Sequence, residues 1–360
     1  MSTENNVDTG KPDEKPAAIP RLHLSSSPHV RSSLSVKMIM LVVIIAMVPS
    51  LVTSIVFFGI NAALVTAVCI VAAVGAEYGA NLLLKRGQTI GDLSAIVTGM
   101  LVAFNLPPSI PLWIAAIGSV FAIVVAKMVF GGLGCNFINP ALAGRAFLMA
   151  SYPAQMTSFS TPNFGSISGL TDAASSSAVD AISSATPLTA IQNAFADGSY
   201  VASDFATALK NLFYGSVGGC VGETSALALL IGGVFLIAIK AVDIRIPAAF
   251  ILTTFALFWL TNGTGTYFTV DSIITPTFHI LAGGLFLGAF FMATDPVTSP
   301  ITPRGRLIFG VGCGALTFVI RKYGGYPEGV SYAILLMNLV APLIERYTRP
   351  KIYGEVKKHG

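Results

Sequence analysis

Three kinds of side chain in this sequence are placed where they could do chemistry: a threonine at a helix start, carboxylates inside apolar runs, and a thiol among glycines. Thr186 closes the heptapeptide Asp180-Ala181-Ile182-Ser183-Ser184-Ala185-Thr186, in a polar stretch between hydrophobic spans. Pro187 follows, and Leu188, Ala190, Ile191, Ala194 and Phe195 recur at helical spacing up to Gly198. Thr186 therefore takes an N-cap position and Pro187 the first helical one. A phosphate esterified to that hydroxyl would meet unpaired backbone N–H groups and the positive end of a helix dipole. The plain alternative is a helix cap and nothing more, the commonest use of Thr at such a place. Glu77 lies inside an apolar run, where a carboxylate usually faces protein or water and marks a pathway; its alternative is to snorkel toward Lys85. Asp295 stands before Pro296 at a helix break, where it could coordinate or relay a cation, or simply end the helix. Cys69, Cys135, Cys220 and Cys313 are more than 60 residues apart and form no C-x-x-C, so no iron–sulfur or zinc site is expected. Only Cys135, beside Asn136, sits in a polar, glycine-rich setting, and the four histidines have no haem-type spacing.

The elements that must position these groups are membrane spans. Hydrophobic residues make up 54% of the chain, charged residues only 11%, and mean hydropathy is +0.75, which excludes an ordinary soluble domain and predicts an all-α polytopic membrane protein. The sequence pI near 8.8 needs no nucleic acid to explain it, because basic residues at membrane flanks account for it. Residues 1–35 are polar and without apolar periodicity and read as a tail; no cleavable signal peptide is apparent before the first apolar run. Ten spans are expected, at 38–58, 61–84, 91–106, 111–130, 140–153, 222–240, 246–261, 279–293, 306–320 and 329–345. They define a transmembrane domain over 36–347 that includes an external loop at 154–221, followed by a C-terminal tail at 348–360.

Of the 21 basic residues, 18 fall in the tail, the C-terminal end, and turns assigned to one side, including Lys127 and Arg145. The positive-inside rule then places both termini in the cytoplasm and the Thr186 loop outside. Three spans are too short for a simple crossing; Asp92 to Leu106 and Ile280 to Ala293 would each rise about 21 Å as helix against a core of about 30 Å. Their related small and apolar patterns, and the recurrence of Gly131-Gly132 as Gly324-Gly325, predict an internal repeat. Five spans per unit would make the two halves inverted, with broken half-helices meeting near the midplane. Gly284 with Gly288, and Gly310 with Gly314, predict close helix contacts.

The heptapeptide fits D-x-x-[ST]-x-A-T and resembles the acceptor sequence of bacterial flavin transferases, which move FMN onto a threonine hydroxyl as a phosphoester. Beyond it stand Ser27-Pro28, Gly131-Gly132-Leu133-Gly134, Asn139-Pro140-Ala141, Thr294-Asp295-Pro296-Val297-Thr298, Arg304-Gly305-Arg306, Gly324-Gly325-Tyr326-Pro327 and Tyr347-Thr348-Arg349-Pro350. With these, the chain from Ser25 to Gly354 resembles the RnfD/NqrB family of membrane subunits. The resemblance implies a urea-channel-like fold and a subunit, not catalytic alone, of a translocase that passes electrons between ferredoxin and NAD while moving Na⁺ or H⁺. It implies covalent FMN on Thr186, with Asp180, Ser183 and Ala185 as attachment-motif positions. Electrons would pass singly to a flavin on a neighbouring subunit at the outer face. It also allows a second, non-covalent flavin such as riboflavin, which no motif here locates. The partners implied are Rnf subunits A, B, C, E and G, a flavin transferase for maturation, and the lipid of a bacterial cytoplasmic membrane, with no nucleic acid.

Two other classes fit part of the sequence: a channel or permease of urea-transporter-like architecture without a redox cofactor, and a membrane anchor for soluble redox proteins. Both would be colourless, whereas the flavin carrier would be yellow. In the redox reading, Asp295→Asn or Glu77→Gln is expected to weaken ion transport more than electron transfer. Unchanged coupled transport in both variants would remove these carboxylates from the pathway.

Overall fold

The structure is a computed structural model that describes residues 35–159, 202–261, 270–324 and 328–350. Asp180, Ser183, Ala185 and Thr186 lie outside the described residues, as do residues 1–34 and 351–360. Every regular element among the described residues is helical. Four helices are long and apolar enough to cross a membrane: α1 (Val36–Phe58), α2 (Ile60–Leu83), α12 (Pro303–Tyr323) and α13 (Val330–Thr348). Between α2 and α12 lie α3 (Ser94–Phe104), α4 (Leu112–Ile123, continued by a π-helical turn Val124–Met128), α5 (Pro140–Ser151) and α6 (Pro153–Met156). They are followed by α7 (Ala202–Tyr214), α8 (Ala226–Ala238), α9 (Arg245–Leu260), α10 (Val270–Leu281) and α11 (Leu285–Leu287, continued by a π-helical turn Gly288–Met292). The chain is a multi-pass membrane protein.

The expected span at 279–293 takes a different form. Ile273–Leu281 and Leu285–Met292 are two apolar limbs bent by 64° at a short break, the form of a broken span or a re-entrant loop. Thr275, Pro276, Thr277 and His279 interrupt the apolar window of the first limb, and for that reason hydropathy alone finds only the second. The expected span at 91–106 is a half-helix, α3, preceded by a short 3-10 turn at Ile90–Asp92. Leu93 enters α3 with φ 64°, and Gly284 enters α11 with φ 65°, so both half-helices begin on a left-handed residue. For Gly284 that conformation is free, whereas for Leu93 it costs about 1 kcal/mol.

The half-helices form the centre. All of α3 except Ile96 is buried, and so is every residue from Leu285 to Met292. A helix apolar on all sides is at home only inside a bundle. Helix α2 packs on α3 and α4, α1 packs on α8, and α9 packs on α10 and α12, with α5 touching α13. The exposed sides of α1, α8 and α12 carry Val52, Val56, Ile231, Val234, Ile308 and Val311, as lipid contact requires.

Gly310 and Gly314 set a close approach of α9 and α12. A Cβ on Gly314 would stand 2.8 Å from the Phe250 carbonyl oxygen, and one on Gly310 would stand 2.8 Å from that of Ile246. The expected Gly284/Gly288 pair divides its work: Gly284 is the left-handed turn, and Gly288 gives room to Val330 and Ile334 of α13. On the side expected to be cytoplasmic, the Arg306 guanidinium donates to Asp243 Oδ2 at 2.6 Å and ties the α8–α9 turn to α12.

Burial pushes the Asp243 carboxyl up, but the Arg245 backbone N–H and the Arg306 and Arg245 guanidinia outweigh it and hold the group below its usual range. A carboxyl whose folded value is depressed adds stability above its unfolded value of about 3.9 and loses it as pH falls through the folded value. Asp243→Asn should therefore lower the thermal midpoint of the purified complex at pH 7 by the equivalent of about 1 kcal/mol or less, an exposed pair being screened. The difference from the unsubstituted protein should shrink as pH falls below the usual carboxylate range and through the lowered folded value, and a difference independent of pH would remove the ion pair as its cause. Gly314→Leu should cost about 1–3 kcal/mol through overpacking, read as a lower midpoint or less chain in the membrane; an unshifted midpoint would contradict the contact.

Candidate functional site: a polar cavity between two half-helices

The breaks create backbone groups that no helix satisfies, and the chain meets each with a specific partner. Gly222 N–H donates to the Phe104 carbonyl and Val221 N–H to that of Leu106, both at 2.9 Å, closing the end of α3. The carbonyls of Gly222 and Val221 are held in turn by the hydroxyls of Ser50 and Ser54, one turn apart on α1 and fully buried. At the other break the Arg321 guanidinium, 2% exposed, donates to the carbonyls of His279, Ala282, Gly283 and Glu328. Asn139 caps α5 through Ala141 N–H and also donates to the Met292 carbonyl at 3.2 Å, at the end of the second half-helix.

The region of Asn105 is charged and balanced. The Arg145 guanidinium donates to Asn105 Oδ1 at 2.7 Å and pairs with Glu328, while Cys220 Sγ and the carboxylates of Glu223 and Glu328 lie within 4.8 Å of one another. Arg145 and Lys127 are 6% and 2% exposed. They are not the flanking charges that the sequence suggests, and the topological weight rests on the other basic residues. Cys69, Cys220 and Cys313 are buried, and Cys135 is exposed beside Gly131, Gly132 and Gly134, all of positive φ. His279 stacks on Phe258 at 3.8 Å.

A cavity of about 90 Å³ lies between the two half-helices, room for several waters. Its polar lining comes from Ser94 and Thr98 of α3, Lys127 of the α4 π turn, Asn136 and Asn139, and Thr294 and Asp295 after the second half-helix. Val97, Leu101, Phe290 and Phe291 supply the apolar wall. A second cavity of about 80 Å³, lined by Asp243 and Arg306, shares Ala241, Val242, Thr294 and Pro296 with the first, so the two adjoin. Asp295 accepts from Val297 N–H at 3.2 Å and from the Thr298 hydroxyl at 3.3 Å, and no basic side chain pairs with it among the described residues.

Glu77 is fully buried and stands outside the cavity lining. One oxygen accepts from Thr89 Oγ1 at 2.5 Å and the other from Lys127 Nζ at 2.7 Å, so its partner is Lys127 and not Lys85. Lys127 Nζ also donates to Ser94 Oγ at 2.6 Å. The structure thus brings Asp295 to the cavity directly and Glu77 only through Lys127. Sequence reasoning passes over Lys127, although a lysine within Val124-Val125-Ala126-Lys127-Met128-Val129 has no aqueous flank and calls for an internal partner.

The model of the NQR2, RnfD, RnfE family matches residues 23–354. A relative from Acetobacterium woodii, named as the D component of a Na⁺-translocating ferredoxin:NAD⁺ oxidoreductase complex, is 47% identical over 93% of this chain and 96% of its own. One from Clostridium ljungdahlii, named as the D component of a proton-translocating ferredoxin:NAD⁺ oxidoreductase complex, is 45% identical over 92% of this chain and 96% of its own. A third from Escherichia fergusonii, named as the D component of an ion-translocating oxidoreductase complex, is 37% identical over 93% of this chain and 99% of its own. With similarity running from the first helix to the last described residues, this chain belongs to the NQR2, RnfD, RnfE family.

Proposed function

We propose that this chain is the D-type membrane component of a redox-driven cation pump that couples electron transfer between ferredoxin and NAD to movement of Na⁺ or H⁺. The observation that carries this reading is near end-to-end similarity to components so named, at 45–47% identity for two of them. Those two relatives are named for different ions at almost equal identity, so the pathway is written for a monovalent cation. The remaining subunits, A, B, C, E and G, would bring the ferredoxin, NAD and iron–sulfur sites that the sequence of this chain lacks. Ten crossings in two inverted halves, with both termini cytoplasmic and residues 154–221 outside, agree with the basic-residue bias and with the recurrence of a left-handed residue before each half-helix.

The cavity gives the cation a place to rest. Taking an ion out of water is costly unless oxygen ligands and an opposite charge replace its hydration. Asp295 supplies the charge, the hydroxyls of Thr98 and Thr294 and the unpartnered amide oxygen of Asn136 supply neutral oxygens, and the carbonyl end of the second half-helix adds partial negative charge. Lys127 and Glu77 form an ion pair, so Asp295 is the cavity-lining carboxylate without a basic partner among the described residues.

Electron carriage is assigned to Thr186, with Asp180, Ser183 and Ala185 completing the attachment motif for a flavin transferase. Bound FMN exchanges one or two electrons, so it can connect iron–sulfur partners to two-electron carriers. Thr186→Ala should leave the helical bundle assembled and abolish in-gel flavin fluorescence after denaturation. It should also abolish the FMN-sized mass increase on the peptide containing residue 186. Full flavin on that variant, or an unmodified Thr186 in cells with an active transferase, would overturn the assignment.

A further inference from the structure

We propose that Lys127 is a tethered internal cation, and that Glu77 controls ion passage by holding the Lys127 ammonium away from Asp295. The inference rests on the reading of the cavity as a cation site. Lys127 is paired with Glu77, reaches Asp92 through the Ser94 hydroxyl, and lines the same cavity as Asp295. Glu77 is 0% exposed, and each of its oxygens already accepts from the chain, one from Lys127 and one from Thr89, which itself accepts from Asn81 Nδ2 at 2.9 Å. It therefore acts through Lys127 and is no ion ligand.

Lys127 emerges from a π-helical turn, a local widening of the helix common at functional positions, on a four-carbon stem with three donors. The other charges beside the pair are Arg86, which donates to the Met128 carbonyl, and Asp92, which holds Ser94 through its backbone N–H and hydroxyl. Asp92 reaches Lys127 only through the Ser94 hydroxyl, and Arg86 is turned to backbone. In Glu77→Gln the lysine loses its ion-pair partner, and its flexible stem is free to turn toward Asp295, which has no basic partner among the described residues. The lysine then occupies the place of the transported ion and cancels the cavity's charge.

The test is uptake of ²²Na⁺, with a trapped pH indicator in parallel, into inverted membrane vesicles containing the whole complex, driven by reduced ferredoxin and NAD⁺. Rates are expressed per copy of this chain in the membrane. Glu77→Gln is expected to lower uptake of the transported ion by about tenfold, a common size for coupling between neighbouring sites. The double variant Glu77→Gln/Lys127→Met, in which a neutral pair replaces the buried ions, is expected to recover most of it. Uptake in the double variant as low as in Glu77→Gln would overturn the proposal, because Glu77 would then be needed for its own sake. If Glu77→Gln does not accumulate because a buried charge is left unpaired, the double variant decides alone: near-normal uptake supports the tether, and less than about a tenth overturns it. Unsubstituted vesicles that take up neither ion would instead refute the pump reading on which the inference stands.

Discussion

A peptide group inside a bilayer has no water to bond to, and this single constraint organises the protein. Two helices stop partway, at Phe104 and Leu281, and each stop exposes carbonyls that would be prohibitively costly in hydrocarbon. The chain answers one stop with a returning backbone segment at Val221 and Gly222, and the other with the five-donor fork of Arg321. Ser50 and Ser54 hold the returning segment, and the guanidinium directs its donors to backbone carbonyls. The polar space lies at the opposite ends of the two half-helices, beside Ser94 and Thr98 of one and Thr294 and Asp295 after the other.

That space inherits its electrostatics from the way charges are paired around it. Arg145 and Lys127 are each buried with a carboxylate, Glu328 and Glu77, and so add little net field while fixing helix positions. Asp295, which lines the cavity itself, is satisfied by an N–H and a hydroxyl but by no cation among the described residues. A carboxylate left in that condition beside a cavity favours a mobile positive charge.

Much of this is legible in the sequence. The long apolar runs predict α1, α2, α12 and α13 to within a few residues, and the short runs ending at Pro107-Pro108 and Asp295-Pro296 announce broken helices. Gly310 and Gly314 announce a close helix pair because glycine at that spacing has few other uses in a membrane. Pairings across the fold are not legible. Glu77 and Lys127 are 50 residues apart, and a basic residue near a span end reads as a flank until the tertiary structure buries it. Helix α10 escapes a reading by hydropathy because its polar residues are compensated by packing on α7 and α9, which hydropathy does not see. The Thr186 motif is read from spacing and resemblance alone, since it lies outside the described residues.

Asn139 joins two of these themes in one side chain. Its carboxamide oxygen caps α5 while its amide nitrogen holds the last carbonyl of the second half-helix, so the cavity wall and α5 share an anchor. Helix α5 is 12 residues long, a rigid rod of about 18 Å whose far end leads through α6 toward the loop that bears Thr186. A displacement of the half-helix at Met292 must either break the Asn139 Nδ2–Met292 bond or carry the capped start of α5 with it. Asn139 is thus a joint through which the cavity wall and the α5 rod share a hydrogen-bonded side chain.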